Sequence, residues 1–226
     1  MSWFRLFVSS TLGKKYLMGI TGLLLCGFLV THLAGNLLMY VGADVYNNYA
    51  HTLHQQEWLI KTAEVGLLAI FVLHLYLAFS LSKQNKDARG VPYQVKKPKE
   101  GAETIPTRPD AWMFWSGLAV FVFLLFHLSD FHFGTSADIY DTEKAAAMEP
   151  FDKAILVLSN PSRILIYVAG TVFLCAHLMH GFSSAFRSLG ISHPKYNRCI
   201  RNLGYFFAVI FGLGFATFPI WAAWGR

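Results

Sequence analysis

Charged residues are scarce in this chain, at 14% of its 226 residues, whereas hydrophobic residues make up 54%. A typical soluble domain carries about 25% charged residues, so the composition excludes an ordinary soluble fold. The few Lys and Arg residues cluster at the ends of apolar segments and in two loops. The net charge of +6 therefore indicates membrane topology and does not indicate a nucleic-acid partner.

Cysteine is also rare, and the three cysteines include no Cys-x-x-Cys pair. This absence excludes a disulfide framework, a zinc knuckle and the Cys-x-x-Cys-His motif of covalently attached haem. A secretory signal is not expected either, because the first apolar run continues well beyond the length of an h-region and has no clear cleavage site.

Long apolar segments are what the chain has in abundance. About twenty helical residues cross the hydrocarbon core of a bilayer, and five segments reach that length. The sequence predicts an all-α integral membrane bundle that forms one domain over residues 1–226, preceded by a short surface helix or an unstructured terminus at WFRLFV. The predicted crossings are Tyr16–Val41, Trp58–Leu81, Ala111–Phe133, Ile164–Phe186 and Leu203–Trp224.

The distribution of Lys and Arg predicts the orientation of this bundle. The N-terminus and the second and fourth loops are basic, whereas the loop Gly42–Glu57 has no Lys or Arg and the third loop is acidic. The positive-inside rule then places the N-terminus in the cytoplasm and the C-terminus outside.

Each of the first four predicted crossings contains a histidine within apolar sequence. An ionisable residue inside lipid is costly and indicates a functional site by default. The segments TGLLLCGFLVTH and SGLAVFVFLLFH also repeat one pattern, in which a hydroxyl residue and a glycine precede the histidine. The four histidines are His32, His74, His127 and His177.

The orientation converts these positions into two depths. His32 and His127 fall in the outer half of the bilayer and His74 and His177 in the inner half, separated by roughly 10–15 Å at 1.5 Å per residue. Two histidines at one depth can hold a haem iron from facing helices. The alternative to haem ligation is that the four are core histidines bonded to backbone carbonyls. A glycine precedes each histidine by two to three helical turns. These glycines could leave room for the haem of the other layer or serve close helix packing. They are Gly22, Gly66, Gly117 and Gly170.

The other histidines are weaker candidates. His180 lies three residues after His177 and could replace it as a ligand or bond a haem propionate, whereas His132 lies too near the end of its segment for the outer layer. His51, His54 and His193 fall in loops, where a solvated role is expected.

Four segments together resemble the membrane anchor of the succinate dehydrogenase and fumarate reductase family, in its single-chain, five-helix, di-haem cytochrome b form. They are TGLLLCGFLVTHLAGN, HLYLAFSLSKQNKDAR, FLLFHLSDF and HLMHGFSSAFRSLG. The resemblance implies that His74 and His177 ligate the proximal b haem and that His32 and His127 ligate the distal one. It favours His177 over His180, because the ligand of that helix stands four residues before a glycine, here Gly181.

The resemblance also implies partners. A flavoprotein and an iron–sulfur subunit would bind the cytoplasmic face of a bacterial inner membrane, and electrons would pass to a quinone, usually menaquinone. An oligomer of the whole complex is compatible with this family. The chain itself would not oxidise succinate, since it has no dinucleotide fingerprint or cysteine cluster.

Polar residues near the predicted sites complete the set. Candidates for bonding the haem propionates are Lys14, Lys15, Thr21, Ser116 and Arg89, and weak candidates for a quinone and proton site are Glu57, His51 and His54. Two alternative functions remain, the cytochrome b subunit of a hydrogenase or formate dehydrogenase and a haem-free transporter with a histidine proton relay.

Overall fold

A computed structural model describes residues 3–88, 109–136, 139 and 147–225. Within these residues the chain is helical and contains no strand. The helices are α1 (Trp3–Ser9), α2 (Thr11–Leu37, extended by a 3-10 turn at Leu38–Tyr40), α3 (Ala43–His54), α4 (Glu57–Asp87), α5 (Pro109–Leu128, extended by a π-helical turn at Ser129–Phe133), α6 (Pro150–Leu158), α7 (Pro161–Ser188) and α8 (Pro194–Trp224).

Five of these helices are long and apolar enough to cross a membrane, which confirms the predicted all-α membrane architecture. They span Thr11–Tyr40, Glu57–Asp87, Trp112–Phe133, Pro161–Ser188 and Pro194–Trp224. The predicted centres are correct, but the helices run further than the apolar sequence does. Helix α8 begins at Pro194, nine residues before the predicted Leu203, because proline at the first helical position pre-organises the backbone and His193 caps it. Helix α4 likewise continues through the basic run to Asp87.

Two short helices occupy segments that the sequence predicts as loops. The first is α3, and the second is α6, which Pro150 initiates directly after Glu149. The Oδ1 of Asn47 on α3 accepts the backbone N–H of Phe151 at 2.8 Å, and the Tyr46 and Phe151 rings lie 6.2 Å apart. The two helices therefore dock onto each other across one end of the bundle, called the α3 end here.

The opposite end, called the α1 end, is formed by α1 and the start of α2 against the end of α4. Ser10 caps α2 by accepting the backbone N–H of Gly13 at 3.0 Å. One turn along α2, the Lys14 ammonium donates to the Ser80 hydroxyl at 2.8 Å. This bond ties the first turns of α2 to the last turns of α4.

Helices α2, α4, α5 and α7 surround a common interior, and α8 packs outside them against α7. Helix α2 contacts α4 and α7, and α5 contacts α7. Large aromatic side chains bridge α4 and α5, with ring pairs Phe71–Phe121 at 6.2 Å and Phe79–Phe114 at 5.5 Å. The four histidine-bearing helices of the sequence are therefore the four that enclose the interior.

Candidate functional site

The four predicted histidines form two layers inside the bundle. The His32 layer, nearer the α3 end, contains His32 of α2 and His127 of α5, whose ring centres lie 5.7 Å apart with the ring planes at 90°. The His74 layer, nearer the α1 end, contains His74 of α4 and His177 of α7, which lie near each other. The structure thus places together the residues that the depth argument pairs.

The His74 layer is organised by the hydroxyl residue of the repeated sequence pattern. The Thr21 hydroxyl donates to the backbone carbonyl of Leu17 at 2.8 Å and lies 3.0 Å from Nδ1 of His74. A hydroxyl has a single proton, so its oxygen accepts the Nδ1–H of His74. The Nε2 of His74 then carries a free lone pair, which is the form of imidazole that binds a metal.

The same arrangement recurs between α5 and α7. The Ser116 hydroxyl donates to the carbonyl of Met113 at 3.1 Å and lies 3.4 Å from Nδ1 of His177. Both histidines of this layer consequently present Nε2 as the free nitrogen.

The glycine that follows each hydroxyl residue lies directly against the same imidazole. A Cβ built on Gly22 would stand 3.5 Å from Cε1 of His74, and one built on Gly117 would stand 3.1 Å from Cε1 of His177. Gly170 instead makes room for the Phe123 ring, whose Cδ2 would lie 2.3 Å from an added Cβ, and nothing lies within 4 Å of a Cβ on Gly66. Two of the four glycines therefore face a histidine, and Gly170 serves side-chain packing.

These contacts fix the separation of the two layers. Thr21 and Ser116 mark the His74 layer, and each stands eleven residues before the histidine of the other layer on its own helix. At 1.5 Å per residue, the layers lie about 16 Å apart along the helices. This distance slightly exceeds the upper limit expected from the sequence.

The His32 layer has a polar environment that sequence reasoning missed. The Tyr167 hydroxyl of α7 lies 3.5 Å from Nδ1 of His127 and donates to Oδ2 of Asp130 at 3.0 Å. Nε of Arg163 donates to both oxygens of the same carboxylate, at 2.9 and 3.0 Å. The available signal was a charged residue, Asp130, three positions after a predicted ligand within an apolar helix.

His32 itself packs among aromatic rings. The Phe28 ring stacks on it at 5.2 Å with 22° between the planes, and the Phe215 ring of α8 lies 5.7 Å away. All four histidines of the two layers are only partly covered by protein atoms.

The remaining predicted residues have varied positions. Lys15 is exposed near the start of α2, and Lys14 is engaged with Ser80. His180 lies one turn beyond His177 on α7. Arg89 lies outside the described residues.

The three candidates for a quinone and proton site each bond a different partner. The His51 imidazole pairs with the Glu149 carboxylate at 2.8 Å, His54 bonds the carbonyl of Ala50 at 2.8 Å, and Glu57 pairs with Lys61 at 3.6 Å. A different carboxylate, Glu64 of α4, lies 3.8 Å from the imidazole of His132 at the π-helical turn.

Comparisons of the chain with protein-family models, with curated proteins and with solved structures find no match. The interpretation of the two layers therefore depends on their own geometry. Within the residues that the structure describes, no group of three or more His, Cys, Asp or Glu side chains could enclose a metal ion.

Proposed function

We propose that the chain is the membrane-anchor cytochrome b subunit of a succinate:quinone oxidoreductase, with two noncovalent b haems. The observation that carries this proposal is the presence of two histidine pairs at two levels of one helix bundle, each pair contributed by different helices. The family resemblance of the four histidine segments supplies the type of complex.

The residues of the His32 layer fit a haem iron by their chemistry and their spacing. His32 and His127 come from different helices, and their ring centres lie 5.7 Å apart. These two imidazoles would hold the iron of one haem. The apolar rings of Phe28 and Phe215 beside His32 suit the face of a porphyrin.

The residues of the His74 layer fit a haem iron because each histidine has a nitrogen available as a ligand. Thr21 and Ser116 hold Nδ1 of His74 and His177, which leaves Nε2 of each ring as the ligand nitrogen. A haem bound by two histidines supplies one-electron transfer. The protein's contribution is to fix the tautomer and the direction of each imidazole, and to separate the two layers along the membrane normal.

The orientation of the bundle gives each layer its place in the proposed complex. With the N-terminus in the cytoplasm, the α1 end faces the cytoplasmic flavoprotein and iron–sulfur subunits, and the His74 layer is proximal to them. The basic residues at that end, which include the exposed Arg198 at the start of α8, are available to an acidic partner surface. Quinone, with menaquinone as the expected species, would exchange electrons with the chain in the bilayer of a bacterial inner membrane.

Isolation of the full chain from its own membranes in mild detergent tests this proposal. We expect two b haems per chain in the reduced-minus-oxidised absorption spectrum and co-purification of a flavoprotein that oxidises succinate. An absence of haem would favour a transporter with a histidine proton relay. Two haems with a hydrogen- or formate-oxidising partner would identify the subunit of another oxidoreductase.

A matched variant strengthens the test of the histidine pairs. His54→Ala removes an exposed histidine that bonds its own helix, and it should keep both haems. His177→Ala removes a histidine of the His74 layer, and this variant should keep one haem. Equal haem content in the two variants would contradict the proposed ligation.

A further inference from the structure

A buried ion pair lies at the interface of α5 and α7, at the level of the His32 layer. The Asp130 side chain is fully buried, and Arg163 is 6% exposed. The Arg163 guanidinium also lies over the Phe126 ring, 5.8 Å from its centre. Burying two charges carries a desolvation cost that their mutual attraction often fails to exceed, so this pair calls for a role besides stability.

Asp130 is fixed on the same side of its helix as His127. The two residues are three positions apart, and Asp130 lies in the π-helical turn Ser129–Phe133, which ends at Gly134 in the left-handed conformation with φ of 61°. π-helical turns occur frequently at functional sites. The Ser136 hydroxyl donates to Oδ1 of Asp130, so the carboxylate is held from the loop as well as from α7.

Tyr167 connects this carboxylate to His127. Its one hydroxyl proton goes to Oδ2 of Asp130 at 3.0 Å, so toward His127 the hydroxyl oxygen acts as an acceptor. The Nδ1 of His127 lies 3.5 Å from that oxygen, which is the long end of hydrogen bonding. With its proton on Nδ1, His127 would donate to this oxygen and present Nε2 on the other side of the ring.

We infer that Tyr167 and Asp130 are positioning residues that set the reduction potential of one haem only, the haem bound by His32 and His127. This inference rests on the proposed function. A histidine ligand whose other nitrogen donates to a carboxylate-linked oxygen is a stronger electron donor to its metal. Stronger donation favours the ferric iron and lowers the reduction potential. Thr21 and Ser116, which bond backbone carbonyls and no carboxylate, exert a weaker effect on the other layer.

Tyr167→Phe tests the inference because it removes only the hydroxyl. In redox titrations of membranes that contain the full chain, we expect both haems to be retained. For one of them the ferric-to-ferrous ratio at a fixed potential should fall about tenfold, an upward shift of about 59 mV for one electron. The matched control is Tyr40→Phe, which removes a hydroxyl that donates to Thr217 at 2.7 Å at the same end of the bundle. It should leave both potentials unchanged.

A second variant covers the charged residue. Asp130→Asn/Arg163→Gln removes both buried charges together and should raise the reduction potential of the same haem. The same variants in a His177→Ala background, which should keep only the haem of His32 and His127, identify the haem whose potential changes. Unchanged potentials in Tyr167→Phe, or a shift of the haem that His177 binds, would overturn the inference. In both of these outcomes the unmodified chain still contains two haems. If the proposed function is wrong, the unmodified chain itself lacks haem, so the two failures are distinguishable.

Discussion

The Oγ1 of Thr21 lies 3.0 Å from Nδ1 of His74, so the hydroxyl of one apolar helix fixes the histidine of the next. Ser116 and His177 repeat this relationship on α5 and α7 at 3.4 Å. The repeated segments that contain Thr21 and Ser116 therefore act in both layers. Each supplies a hydroxyl and a glycine to one layer and, eleven residues later, a histidine to the other.

Thr21→Val keeps the shape of the threonine side chain and removes its hydroxyl. The variant should lower the occupancy of the haem that His74 binds, because loss of the outer hydrogen bond of a histidine ligand typically costs 10- to 100-fold in metal affinity. The haem of the His32 layer should be retained. Haem per chain and the reduced-minus-oxidised spectrum, both measured after gel filtration, report the change.

Thr31→Val is the matched control for this prediction. Thr31 is an exposed residue on the same helix, and its hydroxyl bonds the backbone carbonyl of Phe28 at 2.9 Å. Its replacement should leave both haems in place. Equal haem content in the two valine variants would show that the Thr21 hydroxyl has no part in the site.

The pairing of the histidines predicts how their loss combines. His74→Ala and His177→Ala should each remove the same haem, and the double variant should lose no more than either single variant. His32→Ala and His127→Ala should remove the other haem. Redox titration resolves the two haems by potential, and loss of one shared haem in His32→Ala and His74→Ala would show that the layers are paired wrongly.

The fold was predictable where one periodic apolar pattern determines the element. Each of the five crossings is a run of apolar residues longer than the bilayer needs, and each forms a helix. The ends of the helices were less predictable, because α4 and α8 include basic residues that lie outside the apolar segments. Helices α3 and α6 were missed because they are short and amphipathic, and Asn47 and Phe151 connect them across the chain.

The candidate site was predictable to the extent that helix geometry converts sequence position into depth. That conversion pairs His32 with His127 and brings Thr21 to the level of His74. The partners of Asp130 were not predictable, since Arg163 stands 33 residues away on another helix and no local pattern connects them. The quinone candidates rested on sequence proximity in a loop, and their side chains bond different partners: His51 pairs with Glu149 and Glu57 with Lys61.

The orientation proposed for the bundle can be tested with a native residue. Cys199 is exposed near the start of α8, at the end assigned to the cytoplasm. A membrane-impermeant maleimide should label it in inverted membrane vesicles and leave it unlabelled in intact cells. Thr52→Cys, placed at an exposed position of α3 in a Cys199→Ser background, should give the opposite pattern. Labelling of Cys199 in intact cells would show that the bundle has the opposite orientation in the membrane.

The ion pair of Asp130 and Arg163 predicts an unusual order of stabilities. Asp130→Asn should lower the free energy of unfolding by about 3–5 kcal/mol, because it removes one charge of a buried ion pair. Asp130→Asn/Arg163→Gln removes both charges and should recover more than half of that loss, since replacing a whole buried pair is often close to neutral. Asp87→Asn changes an exposed carboxylate at the end of α4, and it should alter the free energy of unfolding by no more than about 0.5 kcal/mol. Thermal unfolding in detergent, followed by circular dichroism, gives the order. A double variant less stable than Asp130→Asn would show that Arg163 stabilises the bundle independently of Asp130.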